Sequence, residues 1–309
     1  MIHRRKFVGL AATITPFAWS PALALPQYSA TTIGFGFSLY GMKSLKPVDA
    51  LRHCAEVGYD CVELPTMPDW PGAPSDFGAE DRKRFRDGLV EYKIRLSALM
   101  ENIVLLAEPA IHDKNLVRLR EAAELGHELN PNAPTIIETV MGGKPAEWLE
   151  VRNRMVDRLG DWARVGDQTK SIIAIKAHIS GAAHLPEHLR WLLDQVKSPS
   201  LKAAFDYSHF QLRGLDLKDS WEKLASETVF IHVKDSLGDQ QKFQFVLPGE
   251  GSIEYVPYLK MIQESHYQGD VIVEVSGQIH SRPGYDPLAA CKKSYAIATQ
   301  FRQANVTLR

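Results

Sequence analysis

The sequence has few cysteines, almost no net charge and, beyond its first 24 residues, no long apolar run. Three cysteines in 309 residues, with no CxxC pair, exclude a disulfide scaffold, and we expect Cys54, Cys61 and Cys291 in the core. A net charge of −1 argues against a nucleic-acid-coating or membrane-surface protein. No segment of residues 25–309 is apolar enough to span a bilayer, so we expect no membrane partner there.

The N-terminus has the features of an export signal. Arg4 and Arg5 precede a weakly apolar stretch, residues 9–20, and Ala22-Leu23-Ala24 forms an A-x-A cleavage site. This order predicts a twin-arginine signal over residues 1–24, with a Sec signal or a short uncleaved anchor as alternatives. We therefore expect residues 25–309 to form the mature domain, in the periplasm or otherwise outside the cytoplasm.

Apolar segments alternate with amphipathic helical stretches along the rest of the chain. Predicted strands cover residues 33–39, 60–64, 94–100, 135–140, 172–178, 201–206, 229–235 and 271–276. Predicted helices cover residues 47–57, 79–92, 114–129, 146–165, 186–197, 221–225, 253–265 and 287–300. Eight such units predict a single-domain α/β fold, the (β/α)8 TIM barrel. A doubly wound sheet is the alternative, but the glycines of "GFGFSLYG" lack the GxGxxG spacing.

Polar side chains cluster where the predicted strands end, which is where barrels of this type build their active sites. They are Glu63, Glu101, Glu138, Lys176, His178, Asp206, His209, His232, Lys234, Asp235 and Glu274. Carboxylates and imidazoles dominate, and these are ligands for Mn, Zn, Fe, Co or Mg. Glu274 lies inside the apolar run "VIVEV", where burial requires a metal or an ion pair to compensate it. Asp235 is expected to cap a loop rather than to bind a metal.

The motifs "FDYSHF", "IHVKD", "PGEG" and "VIVEVSG", in that order, resemble the sugar phosphate isomerase/epimerase superfamily of xylose isomerase-like TIM barrels. The resemblance implies a divalent metal ion held by Glu, Asp, His and Glu from strands five to eight. Asp206, His232 and Glu274 match three of these ligands. His209, three residues after Asp206, matches a residue that contacts substrate in the epimerases.

The fourth ligand position departs from the pattern, because Lys176 stands where relatives carry glutamate. A protonated lysine has no lone pair for a metal. Glu138, at the end of the neighbouring strand, is the preferred replacement ligand, alone or together with His178. Lys176 would then lie beside the metal, with a lowered pKa suited to proton transfer. The alternative is that the metal is weakened or lost and that the ammonium group of Lys176 becomes the electrophile or acid.

The resemblance implies an isomerase, epimerase or lyase that removes a proton next to a carbonyl. Glu274 is the expected base, Lys176 or Glu138 is the opposing group, and His209 assists. Substrate contacts are expected from His178, His209, Lys234, Glu63 and Trp70. An exported enzyme favours a neutral sugar or an oxidised (3-oxo) glycoside, and homo-oligomers are known among relatives. A non-catalytic carbohydrate-binding barrel is the alternative, whereas a DNA-repair enzyme like endonuclease IV is disfavoured.

Overall fold

The computed structural model describes residues 32–304 and 306–308, so the predicted signal segment lies outside the described residues. The strands are β1 (Thr32–Ser38), β2 (Cys61–Pro65), β3 (Arg95–Met100), β4 (Ile136–Val140), β5 (Ile172–Lys176), β6 (Leu201–Phe205), β7 (Thr228–Val233), β8 (Asp235–Gly238), β9 (Phe243–Val246), β10 (Asp270–Val273) and β11 (Thr307–Leu308). Strands β1 to β7 and β10 are parallel, and β10 pairs with both β7 and β1. The eight predicted strands therefore form the predicted closed barrel.

Helices connect the strands and cover the outside of the barrel. They are α1 (Pro47–Val57), α2 (Ala79–Glu91), α3 (Pro109–Leu129), α4 (Trp148–Thr169), α5 (Pro186–Val196), α6 (Tyr207–Gln211), α7 (Leu217–Leu224), α8 (Tyr255–Glu264), α9 (Gly277–His280), α10 (Pro287–Ser294) and α11 (Ala298–Gln303). The eight predicted helices are present. Helix α3 starts earlier than predicted because Pro109 suits a first helical position. Within the described residues, none of the helices is long and apolar enough to cross a membrane.

Alternation along the strands separates two apolar layers. Outward-facing residues such as Val62, Ile137 and Ile173 pack against the helices in the main core. A second cluster fills the barrel itself and is made of Cys61, Ala98, Ile172, Ala174, Ala204, Val229, Phe230 and Ile272. Because side chains on a strand alternate between its two faces, the residues two positions after Cys61, Ala174, Ala204, Phe230 and Ile272 also point inward. Those next positions form the C-terminal mouth of the barrel.

The cysteines belong to this core, as expected. All three are buried and free, and Sγ of Cys54 lies 4.0 Å from Sγ of Cys291. Cys61 belongs instead to the cluster inside the barrel. The Cys54–Cys61 bridge that the sequence analysis disfavours is therefore absent from the described residues.

Between β7 and β10 the chain forms an antiparallel hairpin, β8–β9, that the sequence analysis does not predict. Asp235 begins this hairpin, is fully buried, and accepts hydrogen bonds from the backbone N–H groups of Ser236, Gly249 and Ile253 at 3.0, 3.1 and 3.1 Å. A Cβ atom on Gly251 would lie 2.2 Å from Oδ1 of Asp235. The expected loop-capping role of Asp235 agrees with this geometry, which holds the hairpin and the following "PGEG" loop over the mouth.

Replacing Asp235 with alanine should lower the free energy of unfolding by about 3 kcal/mol, because it leaves three N–H groups without their buried, charged acceptor. Urea denaturation of both proteins measures this loss. Asp239→Ala is the matched control, because the Asp239 carboxylate also accepts two backbone N–H groups but lies in an exposed turn where water replaces it. Equal losses in the two variants would contradict the assigned role of Asp235.

Candidate active site

Six strands each send one ionisable side chain to the inward position above the interior apolar cluster. Each follows an inward-facing residue by two positions, and the six are Glu63, Glu138, Lys176, Asp206, His232 and Glu274. All are buried except Glu274, whose side chain is 11% exposed. The strand period thus brings together the four predicted metal ligands, the unusual lysine and one further acid.

The ammonium group of Lys176 lies at the centre of this cluster. Its Nζ is 2.9 Å from Oε2 of Glu274, 3.1 Å from Oε1 of Glu138 and 2.8 Å from Nδ1 of His232. Burial lowers the pKa of Lys176, but Glu138, Glu274 and Asp206 outweigh burial and raise that pKa well above its ordinary value. Lys176 is therefore protonated in the described cluster. The lowered pKa that is expected beside a metal ion stays a prediction.

His232 is held between two carboxylates. Its Nε2 is 3.0 Å from Oε2 of Glu63, and its Nδ1 is 3.1 Å from Oε2 of Glu274. Burial lowers the pKa of His232, but Glu63 and Glu274 raise it to about 9. Ser38 Oγ donates a further hydrogen bond to Glu63. Glu63 is fully buried and does not line the cavity described below. Its contact orients His232, and its predicted contact with a substrate stays a prediction.

Asp206 and Lys234 form a second buried ion pair beside the first. Lys234 Nζ contacts Oδ2 of Asp206 and lies 3.0 Å from Oε2 of Glu274. Asp206 also accepts hydrogen bonds from the backbone N–H and the hydroxyl of Ser208, which caps the start of α6. Burial raises the pKa of Asp206, but Lys234 and His209 hold it well below its usual value. The "FDYSHF" motif therefore combines a helix cap with a charged site residue.

Glu138 is the least satisfied member of the cluster. Neither of its carboxylate oxygens accepts a hydrogen bond from a described residue, although Lys176 lies close to one of them. Burial raises the pKa of Glu138, and Lys176 only partly opposes that effect. An unpaired buried carboxylate is costly, so Glu138 is suited to take up a proton or to meet a polar group of a ligand.

Two histidines stand beside the cluster. The rings of His178 and His209 lie 4.2 Å apart, and Nε2 of His209 lies 3.4 Å from Oδ2 of Asp206. Nδ1 of His178 accepts the backbone N–H of Ser180 at 3.2 Å. Burial, with the positive charges nearby, lowers the pKa of His178 well below its usual value. A neutral His178 ring with an accepting Nδ1 carries its proton on Nε2 and can donate it.

A cavity of about 420 Å³ opens above the cluster. Lys176, His178 and Glu274 line it together with residues that the sequence analysis does not single out: Tyr40, Met100, Asn102, Val140, Phe243, Phe245 and Gln278. Phe245 comes from the hairpin, and its ring centroid lies 5.0 Å from Nζ of Lys234. No local pattern identifies these residues, because loops far apart in the chain supply them.

Trp70 lies outside this cavity. Its ring stacks on Tyr40 at 5.3 Å, and Nζ of Lys43 lies 3.9 Å from the ring centroid. It lines a neighbouring cavity of about 490 Å³ with His280 and Tyr285. Trp70 therefore supports the cavity wall through Tyr40, and the predicted stacking of its ring on a sugar stays a prediction.

The donor atoms of the cluster fit a divalent metal, but its ammonium groups do not. Two sets of donors lie within 4.8 Å of one another: Glu63, Glu138 and His232, and Asp206, His232 and Glu274. Carboxylate and imidazole ligands suit the predicted metals. Lys176 Nζ, however, lies within about 3 Å of donors in both sets, and Lys234 Nζ contacts the second set. A divalent ion in either set would share its donors with a like charge in a buried site.

Comparison with known proteins shows which family the chain belongs to. A sequence profile described as the xylose isomerase-like TIM barrel matches residues 51–294. The chain belongs to this family. The resemblance to the sugar phosphate isomerase/epimerase superfamily is thereby confirmed.

Curated relatives of this family member are inosose dehydratases. The protein from Lacticaseibacillus casei is 27% identical over 207 residues, which cover 60% of this chain and 64% of the relative. The protein from Geobacillus kaustophilus is 22% identical over 268 residues, which cover 80% and 82%. The chain thus spans less than two thirds of the length of the Lacticaseibacillus relative.

Solved structures share the barrel. A probable 3-DHS dehydratase from Bacillus anthracis superposes with a TM-score of 0.71 at 17% identity, covering 86% of this chain and 99% of the other. A 3-keto-D-glucoside 4-epimerase from E. coli gives a TM-score of 0.68 at 13% identity, covering 86% and 98%. At these identities the superpositions show a common fold.

The buried His209 should make the free energy of unfolding decrease at acidic pH. Burial and the positive charge of Lys234 lower the pKa of His209 to about 4. In the unfolded chain this histidine takes up a proton near pH 6.5, whereas in the folded chain it stays neutral until the pH is close to 4. Its contribution is present above pH 6.5 and is lost as the pH falls towards 4, a change of about 3 kcal/mol. Urea denaturation at pH 7 and pH 4.5 should show a smaller acid loss in His209→Gln than in the wild type. Equal losses would contradict a neutral His209.

Proposed function

We propose that this chain is a lyase that removes the proton next to the carbonyl of a polyhydroxylated ring ketone and expels the group on the β carbon. The observation that carries the proposal is the pair of Glu274 and Lys176 in the cavity wall, a carboxylate and an ammonium group 2.9 Å apart. Such a pair provides a base for the proton and a positive charge for the oxygen that becomes negative. The dehydratase names of the relatives support the same class of reaction.

Glu274 is the proposed base. Burial raises the pKa of Glu274, but Lys176, Lys234 and His232 hold it well below its ordinary value, so the carboxylate is ionised. It is the one acid of the mouth that lines the cavity. Its anion takes the α-proton as the C–H bond breaks and the electron pair moves into the carbonyl. Lys176 then donates a hydrogen bond to the resulting enolate oxygen.

His178 is the proposed hydrogen-bond donor to the leaving group. It lines the same cavity, and its neutral ring carries a proton on Nε2. When the enolate collapses, the bond from the β carbon to oxygen breaks, that oxygen accepts a hydrogen bond from His178 Nε2–H, and it takes up the proton that Glu274 removed from the α carbon. Water leaves if the substrate carries a free β-hydroxyl group, and an alcohol leaves from a 3-oxo-glycoside. The carboxylate of Glu274 and the neutral ring of His178 are thereby restored.

A second candidate reaction is epimerisation at the α carbon. The observation that favours it is a second carboxylate at the same cation: Oε1 of Glu138 lies 3.1 Å from Lys176 Nζ, and neither oxygen of Glu138 accepts a hydrogen bond from a described residue. Two carboxylates at one cation can remove the proton from one face and return it to the other. Glu138 does not line the cavity, so this reaction needs its side chain to move towards the substrate. The solved 3-keto-D-glucoside 4-epimerase shares this fold.

The cavity supports a neutral, ring-sized substrate. Its volume of about 420 Å³ falls in the range of small-molecule sites, and its wall carries one acid and one ammonium group that already neutralise each other. A phosphate would meet no further free cation among its lining residues. The paired arginines of the N-terminus support action outside the cytoplasm, where phosphorylated sugars are scarce, and this location is part of the proposal.

The test is proton exchange and elimination in deuterated water. A keto-inositol and a 3-oxo-glucoside are incubated with the protein, and NMR follows both deuterium at the α carbon and the released product. Glu274→Gln should reduce exchange and elimination by about 10²- to 10⁴-fold, because it removes the base. Glu264→Gln, at an exposed carboxylate on α8, is the control and should retain activity.

The product distinguishes the two reactions. An unsaturated ketone supports the lyase, whereas an epimer with deuterium at the α carbon supports the epimerase. Absence of both exchange and product with every ring ketone tested would refute the proposal.

A further inference from the structure

The position of the Lys176 ammonium group carries an inference beyond the reaction class. Its Nζ lies within about 3 Å of donors in both sets of potential metal ligands. It is therefore placed where a cation shared by Glu138, His232 and Glu274 would be placed. Strand β5 directs it there, because Lys176 follows the interior residue Ala174 by two positions.

We propose that the ammonium group of Lys176 is the resident cation of this site, in place of a divalent metal ion. This inference depends on the proposed function in one respect: the proposed reaction needs a positive charge at the carbonyl oxygen. As a metal would, the ammonium group offers that charge, and it also offers N–H donors. The predicted metal requirement is thereby replaced by a residue of the chain.

The charges of the cluster support a built-in cation. Three of the four carboxylates, Glu138, Asp206 and Glu274, already contact an ammonium group of Lys176 or Lys234. A divalent ion bound by the same oxygens would lie beside one or both of these like charges. Like charges that share donors in a buried site of low dielectric repel one another strongly.

Lys234 is a second built-in cation, and it pairs with Asp206, the predicted ligand that Lys176 does not contact. Its Nζ contacts Asp206 and lies 3.0 Å from Oε2 of Glu274. A metal at Asp206, His232 and Glu274 would have to displace two buried ammonium groups. Every carboxylate that these two groups contact belongs to the cluster itself. Displacing buried ammonium groups from their only carboxylate partners is expensive.

The test is direct titration of the full-length wild-type protein with Mn²⁺, Co²⁺ and Zn²⁺ after treatment with chelator and dialysis. Isothermal titration calorimetry and elemental mass spectrometry measure the stoichiometry without any substrate. We expect no stoichiometric binding by the wild type. Lys176→Gln, which removes the competing charge and leaves the donors in place, should bind one ion per chain at least about 100-fold more tightly.

Two further readouts keep the test decisive. Co²⁺ bound by Lys176→Gln should show visible absorption bands, and the metal should raise the melting temperature of this variant and not that of the wild type. Lys202→Gln is the matched control, because Lys202 lies on the neighbouring strand and pairs with Glu227 outside the mouth. It should bind metal as poorly as the wild type.

The wild-type measurement alone can overturn the inference. One tightly bound divalent ion per wild-type chain, lost in Asp206→Asn, would show that Lys176 yields its position to a metal. A folded Lys176→Gln with no metal site would also overturn it. Because no substrate is present, a chain that lacks the proposed lyase activity leaves these results unchanged, so the two proposals fail separately.

Discussion

Burial of four carboxylates at one end of the barrel is the constraint on which the arrangement of the mouth depends. Four ionised acids in a low-dielectric site would repel one another and lose their hydration. Three basic side chains contact these carboxylates and compensate their charge: Lys176, Lys234 and His232. Each side chain is held in place by the charges of its neighbours, so the network behaves as a unit.

The barrel interior makes these charges effective. Small and apolar residues, including Ala174, Ala204 and Phe230, fill the space below the cluster and exclude water from that side. The cavity above has Glu274 and Lys176 in its wall, where a substrate of the proposed kind would meet them. A carboxylate and an ammonium group at such a boundary interact more strongly than they would in water. The fold thus supplies a preorganised field rather than flexible groups that must rearrange.

Much of the fold could be predicted because its signals are local. Continuous apolar runs identify the eight buried parallel strands, and the helix over residues 47–57 is bounded by Pro47 and by Gly58, whose φ of 109° suits glycine. The β8–β9 hairpin could not be predicted in this way. Its strands are short and lack a clear alternation of apolar and polar residues, and Asp235 supports them through contacts with the loop after β9.

The candidate site was predictable in its membership but not in its contacts. Strand-end positions identify Glu138, Lys176 and Glu274 without any structure, since parallel strands of a barrel present their carboxyl ends together. Trp70 shows the limit, because the stacking partner that holds its ring, Tyr40, lies 30 positions earlier and belongs to another loop. A pKa is a property of the assembled charges, so the rise in the pKa of Lys176 beside Glu138, Glu274 and Asp206 could not be predicted from the sequence.

The sequence by itself determined the eight strand–helix units, the family and the identity of each ionisable residue at the mouth. These follow from periodicity and from motifs within a few residues of one another. Only the tertiary structure decided that Lys176 lies among Glu138, His232 and Glu274, three residues that are up to 98 positions away in the chain. Closure of the barrel sets these distances, and closure depends on long-range strand pairing that no local pattern encodes.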